Sequence, residues 1–191
     1  YENLPFWHAF FTTLGYEVIV SPPSTRNLYL RGQATIPSDT VCYPAKLMHG
    51  HIDALLRMGA DTIFYPCMSY NFDEHLSDNH FNCPVVAYYP EVAAANIRAL
   101  GRVKFIYDYL DLSDPKRFVK KAVSVFRRSF GELTEREIRN AANAAYTEYA
   151  AYTAQVRRKG EETLEEARRR NLPVIVLCGR PYHLDPEINH G

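Results

Sequence analysis

Apolar residues at Phe6, Phe10 and Leu14 fall on one helical face, so the spacing predicts an amphipathic helix from Tyr1 to Leu14, stopped by Gly15. A short apolar run, Tyr16 to Val20, then reads as a buried strand, and Ser21-Pro-Pro-Ser24 leads into a brief helix. From Ala45 to Met58 the apolar positions Leu47, Met48, Ile52, Leu55 and Leu56 return to helical spacing, and Gly59 closes the element. Further strands are expected at Ala60–Tyr65, Pro84–Tyr89 and Lys104–Leu110, with a polar segment over Ser69–Asn82 between the first two. Asp114-Pro115 starts a helix running through Phe126. Thr134 followed by Glu137 has the form of a capping box and opens a long helix. Its seam of Ile138, Ala142, Ala145, Tyr149, Tyr152 and Val156 fits packing within the chain or a homodimer through the long helix, core packing being the plainer reading. Glu161–Arg170 is charged and solvated, and Leu172–Leu177 is one more apolar strand.

Strands alternating with helices argue for an α/β fold, here a three-layer Rossmann-like parallel sheet in which the strands at Tyr16, Ala60 and Pro84 are neighbours. The division expected is 1–112 for the Rossmann-like domain, 113–171 for a helical segment and 172–191 for the first strand and loop of a second α/β unit. The chain opens on Tyr1 and stops at Gly191 inside a polar motif, so a segment excised from a longer polypeptide is expected.

Composition narrows the function. The 191 residues are 47% hydrophobic and 23% charged, with 22 basic and 22 acidic side chains, so no global field steers the chain to nucleic acid or to an anionic membrane. No apolar run reaches the roughly 20 residues that span a bilayer, and nothing resembles a signal peptide; a cytoplasmic location is expected. Without export signals the four cysteines, Cys42, Cys67, Cys83 and Cys178, point to metal, redox or burial rather than disulfides. No GxGxxG, P-loop or GxSxG pattern occurs, which argues against a dinucleotide dehydrogenase, a phosphate cradle and a serine hydrolase.

The chemistry concentrates at Cys42-Tyr-Pro-Ala-Lys-Leu-Met-His-Gly-His51. A thiol in front of free helix N–H groups sits in a positive field that favours the thiolate. Ligands in open α/β sheets collect at the carboxyl ends of strands, where Cys42 and Cys67 both fall. Cys83, read as preceding a strand, belongs to the opposite edge, and the hydrophobic lead-in to Cys178 makes it a buried core thiol. A zinc set of Cys67, His75, His80 and Cys83 competes, but its cysteine spacing is wide for a structural knuckle. His49 and His51 lie two apart on a helix and cannot readily share a metal; each has a solvated surface as its plain alternative and an anion contact as its functional one. Gly179 to His190 is dense in polar residues after a strand end, as functional loops are.

Three segments together resemble a known family: Asn3-Leu-Pro-Phe-Trp-His-Ala-Phe-Phe11 with Leu14-Gly15, Cys42 to His51, and Gly179-Arg-Pro-Tyr-His-Leu-Asp-Pro-Glu-Ile-Asn-His-Gly191. The chain resembles the acyl-CoA dehydratase activase-related family, whose members are often called activators of (R)-2-hydroxyglutaryl-CoA dehydratase and are often fused to an actin-like-fold ATPase. That family is similar to the iron–sulfur subunits of 2-hydroxyacyl-CoA dehydratases, which hold a 4Fe-4S cluster through three cysteines. The resemblance implies Cys42 as first ligand and Cys67 as second, with the relative's third ligand in the second α/β unit, beyond Gly191. Cys83 and Cys178 are the alternatives for a third ligand within the chain, and a cluster is expected in the full-length protein rather than in this segment. Lys46, His49, His51 and Arg180 would supply positive or hydrogen-bonding groups near it. The implied role is a module for ATP-driven, low-potential electron transfer in an anaerobic, cytoplasmic protein, with an ATPase activator domain and acyl-CoA dehydratase subunits as partners. No ATPase signature occurs in these residues. A metal-free α/β scaffold that binds a ligand or partner and is fused to an ATPase is the alternative.

Overall fold

The computed structural model describes residues 2–190. The elements are α1 (Leu4–Thr13), α2 (Arg26–Gly32), α3 (Tyr43–Arg57), β1 (Thr62–Phe64), α4 (Pro84–Asn96), β2 (Lys104–Ile106), α5 (Pro115–Phe130) and α6 (Glu135–Arg169). Short 3-10 turns follow α2 and α4 and occur again at Pro181–Leu184. The helix starts follow the sequence signals. Asp114 accepts from the backbone N–H of Lys116 and Arg117, and Thr134 and Glu137 form the reciprocal capping box. Gly15 and Gly59 take φ of +87° and +83°, values that side-chain-bearing residues adopt with difficulty, and end α1 and α3 as expected.

The protein is mixed α/β with a small sheet. β1 and β2 pair in parallel with Thr62 opposite Lys104 and Phe64 opposite Ile106, and an isolated parallel bridge joins Cys67 to Tyr109. Helices cover both faces of this pair. On one face Phe64 and Ile106 pack with α1, α5 and α6 around Phe6, Phe10, Phe118, Phe126 and Ile138. On the other, Ile63, Tyr65 and Phe105 pack with α3 and α4 through Ile52, Leu55, Ala93 and Ile97. A third cluster of Leu28, Leu47 and Ala54 joins α2 to α3.

Three expected strands take other forms among the described residues. Pro84–Tyr89 is the first half of α4. Its valines and tyrosines favour strands, but Pro84 occupies the first helical turn, and parallel neighbours need a long crossover, usually a helix, to return the chain. Tyr16–Val20 is extended and makes no ladder with β1; the two segments line a common cleft of about 720 Å³. Leu172–Leu177 is likewise extended but has no neighbouring strand, and Ile175 is 95% exposed. A three-strand sheet over Tyr16, Ala60 and Pro84 is thus replaced by β1–β2. The seam of α6 divides: Ile138, Ala142 and Ala145 are buried in the core and Tyr149 stacks on Phe72, while Tyr152 and Val156 are exposed.

Candidate functional site at the carboxyl edge of the sheet

Topology places three cysteines at one edge. α3 feeds into the amino end of β1, so it runs against β1 and begins at the carboxyl edge; Cys42 is its N-cap residue. α4 feeds through a 3-10 turn into β2 in the same sense, and Cys83 is its N-cap residue. Cys67 follows β1 directly, its N–H donating to Asp108 O at 3.1 Å. Cys83 therefore does not precede a strand on the opposite edge; the helical form of residues 84–96 brings it to the same mouth as Cys42 and Cys67. A signal for this was present in the chain, since Cys83-Pro84 repeats the cysteine-then-proline helix start of Cys42-Tyr43-Pro44.

Tyr65 lies within electrostatic range of all three thiols. It shares the sheet face of Ile63, beneath α3 and α4. Burial, first, and then the neighbouring Tyr89, Cys67, Cys42 and Cys83 push its phenol well above the ordinary range, so all three thiols act on one side chain. Cys42 and Cys83 are exposed, whereas Cys67 is buried. Desolvation, followed by the charge of Glu91, pushes the Cys67 thiol up to about 11. Protonated Cys67 would become a thiolate only with a compensating positive charge, which a bound metal supplies. Soft thiolates suit iron–sulfur chemistry. Thiols are the donor type a cluster takes, but among the described residues no three His, Cys, Asp or Glu side chains stand close enough to hold a metal ion. The zinc set does not assemble: exposed His75 pairs with Asp73 at 3.2 Å, and His80 lies 4.0 Å from the same carboxylate. Cys178 is exposed on the 172–180 segment, not buried in a core.

Of the supporting residues, Lys46 donates to Asp39 O at 2.7 Å. His49 is buried rather than a solvated helix surface, between Thr35 Oγ1 (2.8 Å) and Tyr89 OH (2.9 Å). His51 is half-buried, between Ser21 Oγ (2.9 Å) and Ser24 Oγ (3.1 Å). Burial lowers the pKa of both rings, so the neutral forms are favoured, and Asp185 partly opposes this at His51. The hydrogen bonds then set the tautomers. Thr35 spends its proton on Gly32 O, so it accepts from His49 Nδ1–H, and Tyr89 donates to the bare Nε2. Ser24 donates to Asp185 Oδ2, so it accepts from His51 Nε2–H, and Ser21 donates to Nδ1.

Sequence reasoning missed Asp185, the only carboxylate among the buried polar residues described. It receives Ser24 and also the N–H groups of Glu187 and Ile188. With the Tyr43–Glu187 bond of 2.7 Å and Ile188 packed beside Leu28 and Leu47, it fastens residues 185–188 to α2 and α3. Arg180 is exposed at the head of this loop, where its N–H donates to His183 Nδ1 at 2.8 Å.

The fold is an α/β domain in which the N-terminal ends of two returning helices and the end of β1 lie at one edge of a parallel strand pair. The chain belongs to the family described as the CoA enzyme activase uncharacterised domain, which it matches over residues 1–191. No curated protein and no solved structure matches it. The family match bears out the resemblance to acyl-CoA dehydratase activase-related proteins and supports an activator-related role. None of the described helices is long and apolar enough to cross a membrane.

Proposed function

We propose that this domain is the thiolate-bearing module of an activase-related iron–sulfur protein, holding a 4Fe-4S-type cluster for ATP-driven, low-potential electron transfer to 2-hydroxyacyl-CoA dehydratase-type chemistry. What supports the reading is the topology that sets Cys42 and Cys83, as N-caps of α3 and α4, at the same sheet edge as Cys67, which lies just past β1. Cys42 and Cys67 are the primary ligands, and Cys83 replaces Cys178 as the third candidate within the chain. The two helix N-termini add positive field to thiolates that would otherwise repel one another. When bound, the cluster supplies one-electron redox chemistry. The protein's part is to present the thiolates, shield Cys67 from water and hold the mouth with the Thr35–His49–Tyr89 and Ser21–His51–Ser24 networks. Lys46, one turn from Cys42, adds a positive group to the first turns of α3; Arg180 would reach the cluster only if its loop reorganises.

The same reading makes Leu172–Leu177 the first strand of a second α/β unit and Tyr16–Val20 a further strand of a wider Rossmann-like sheet. Both are apolar, extended and unpaired among the described residues. The partners are an actin-like-fold ATPase and acyl-CoA dehydratase subunits, with Tyr152 and Val156 offering a face for a homodimer, in an anaerobic cytoplasm. Anaerobic reconstitution of the full-length protein with iron and sulfide, followed by visible absorption and EPR, tests the assignment. Cys42→Ala, Cys67→Ala and Cys83→Ala are each expected to lose iron, and Cys178→Ala to retain it. Full iron content in both the Cys42 and the Cys67 variants would leave the metal-free scaffold reading in its place.

A further inference from the structure

We infer that the solvent face of α5 is a docking surface for an acidic face on a protein partner. The inference stands apart from the thiols at the sheet edge and rests on the activator-related reading only for the identity of the partner. α5 carries six cations, Lys116, Arg117, Lys120, Lys121, Arg127 and Arg128, and no acidic residue from Pro115 to Phe130. At 3.6 residues per turn they fall, with Ser124 among them, on one arc of about 140°, and all six are exposed. The opposite arc holds Phe118, Val119, Ala122, Val125 and Phe126, all buried in the core. The cations are therefore presented on a fixed helix, over about 18 Å from Lys116 to Arg128.

The arrangement disfavours the free helix. Lys116–Lys120, Arg117–Lys121 and Arg117–Lys120 are like-charge pairs at spacings of four and three, which destabilise a helix. Lys116 and Arg117 also sit in the first turn, where the macrodipole favours anions, and no acidic side chain lies in that turn. The N-cap carboxylate of Asp114 accepts from the backbone N–H groups of Lys116 and Arg117, and Asp108 pairs with Arg128 at 2.6 Å. The other five cations have no ion pair among the described residues. α6 shows how this chain builds a face for water alone: Arg139 pairs with Glu135, Lys159 with Glu162 and Arg168 with Glu165. In a chain of 22 basic and 22 acidic side chains, a face of one sign is relieved by an opposing anionic surface. That surface belongs to a protein. No aromatic side chain lies on the arc to stack a base, and the apolar face of α5 is buried in the core, where it cannot enter a membrane interface. The activator-related role of the family supplies a protein partner, of acyl-CoA dehydratase type. Complementary charge then sets the association rate and its salt dependence.

The experiment uses the full-length protein with acyl-CoA dehydratase subunits and measures their association rate against salt concentration. Wild-type association should slow roughly tenfold from low to high salt, as electrostatically steered encounters do. Lys116→Glu combined with Arg117→Glu turns all three like-charge pairs into opposite pairs, so it should raise the unfolding midpoint while slowing low-salt association roughly tenfold. The opposed signs separate docking from folding. Arg168→Glu combined with Arg169→Glu makes the same change of net charge at the exposed end of α6 and should associate as the wild type does. Wild-type association and salt dependence in the α5 variant, or an equal loss in the α6 variant, would overturn the docking surface. If even the wild type does not bind the subunits, the activator reading falls. Binding of poly-L-glutamate, lost in the α5 variant and kept in the α6 variant, then upholds the surface by itself, and no such binding overturns it. Tighter binding of duplex DNA or of phosphatidylserine vesicles than of poly-L-glutamate would overturn the assignment to a protein partner.

Discussion

Replacing Gly50 by alanine should destabilise the protein, although glycine-to-alanine changes inside helices ordinarily do the opposite. Alanine is the better helix former by about 0.8–1 kcal/mol. At Gly50, however, an added Cβ meets Leu28 O at 2.1 Å, Leu28 Cδ2 at 2.6 Å and Leu28 C at 2.7 Å. The reciprocal approach is as close, since a Cβ on Gly32 meets Gly50 N at 2.2 Å. Both positions press backbone on backbone, so no side chain can rotate away, and relief requires α2 to move off α3 by more than an ångström. Overpacking of this kind costs about 1–3 kcal/mol. Moving α2 also strains the Thr35–His49 and Ser24–His51 bonds that tie the two helices, each worth about 1 kcal/mol. Less the propensity gain, the net loss is about 2–4 kcal/mol, a fall in midpoint on the order of 10 °C for a chain of this size. Gly160, an exposed glycine inside α6 with nothing within 4 Å of an added Cβ, is the internal control and should gain the propensity term alone. Thermal unfolding followed by far-UV circular dichroism reads both variants. A neutral or stabilising Gly50→Ala would refute the close crossing of α2 and α3.

Asp185→Ala should free residues 185–188, because it removes the acceptor of Ser24, Glu187 N–H and Ile188 N–H; protease cleavage within 180–190 should accelerate while α1, α5 and α6 stay protected. Unchanged cleavage would mean that Tyr43–Glu187 and Ile188 hold the loop by themselves. The two histidines predict a pH dependence of definite sign. Both pKa values are lowered by folding, so the unfolded chain binds more protons below about pH 6.5; their contribution to stability is complete above that value and is lost as pH falls towards the folded values. Denaturant midpoints measured from pH 7.5 to 5 should decline, and His49→Gln should flatten part of the decline; a wild-type midpoint that rises on acidification would contradict the burial of these rings.

The sequence by itself determined the elements whose signals are local. A capping residue or first-turn proline is read by the backbone N–H groups beside it, so the starts of α3, α5 and α6 were legible at Cys42-Tyr43-Pro44, Asp114-Pro115 and Thr134–Glu137, and Gly15 and Gly59 closed α1 and α3 as expected. The apolar run Ala60–Tyr65 contained β1, and Lys104–Leu110 contained β2. The motifs from Asn3, Cys42 and Gly179 were enough to indicate the family. Tertiary structure decided the rest, for reasons that no short window contains. Pro84–Tyr89 is apolar enough for a strand or a buried helix, and what settles it is the need to carry the chain back between two parallel strands. That choice moved Cys83 from one edge of the sheet to the other and set it with Cys42 and Cys67. Tyr16–Val20 and Leu172–Leu177 have strand-like composition, but a strand is defined by its hydrogen-bonded neighbour, and neither has one among the described residues. His49, His51 and Asp185 carry charge-bearing side chains that sequence reasoning places on surfaces. Partners up to 161 positions away in the chain (Ser24 with Asp185) satisfied their hydrogen bonds and so allowed His49 and Asp185 to be buried and His51 half-buried.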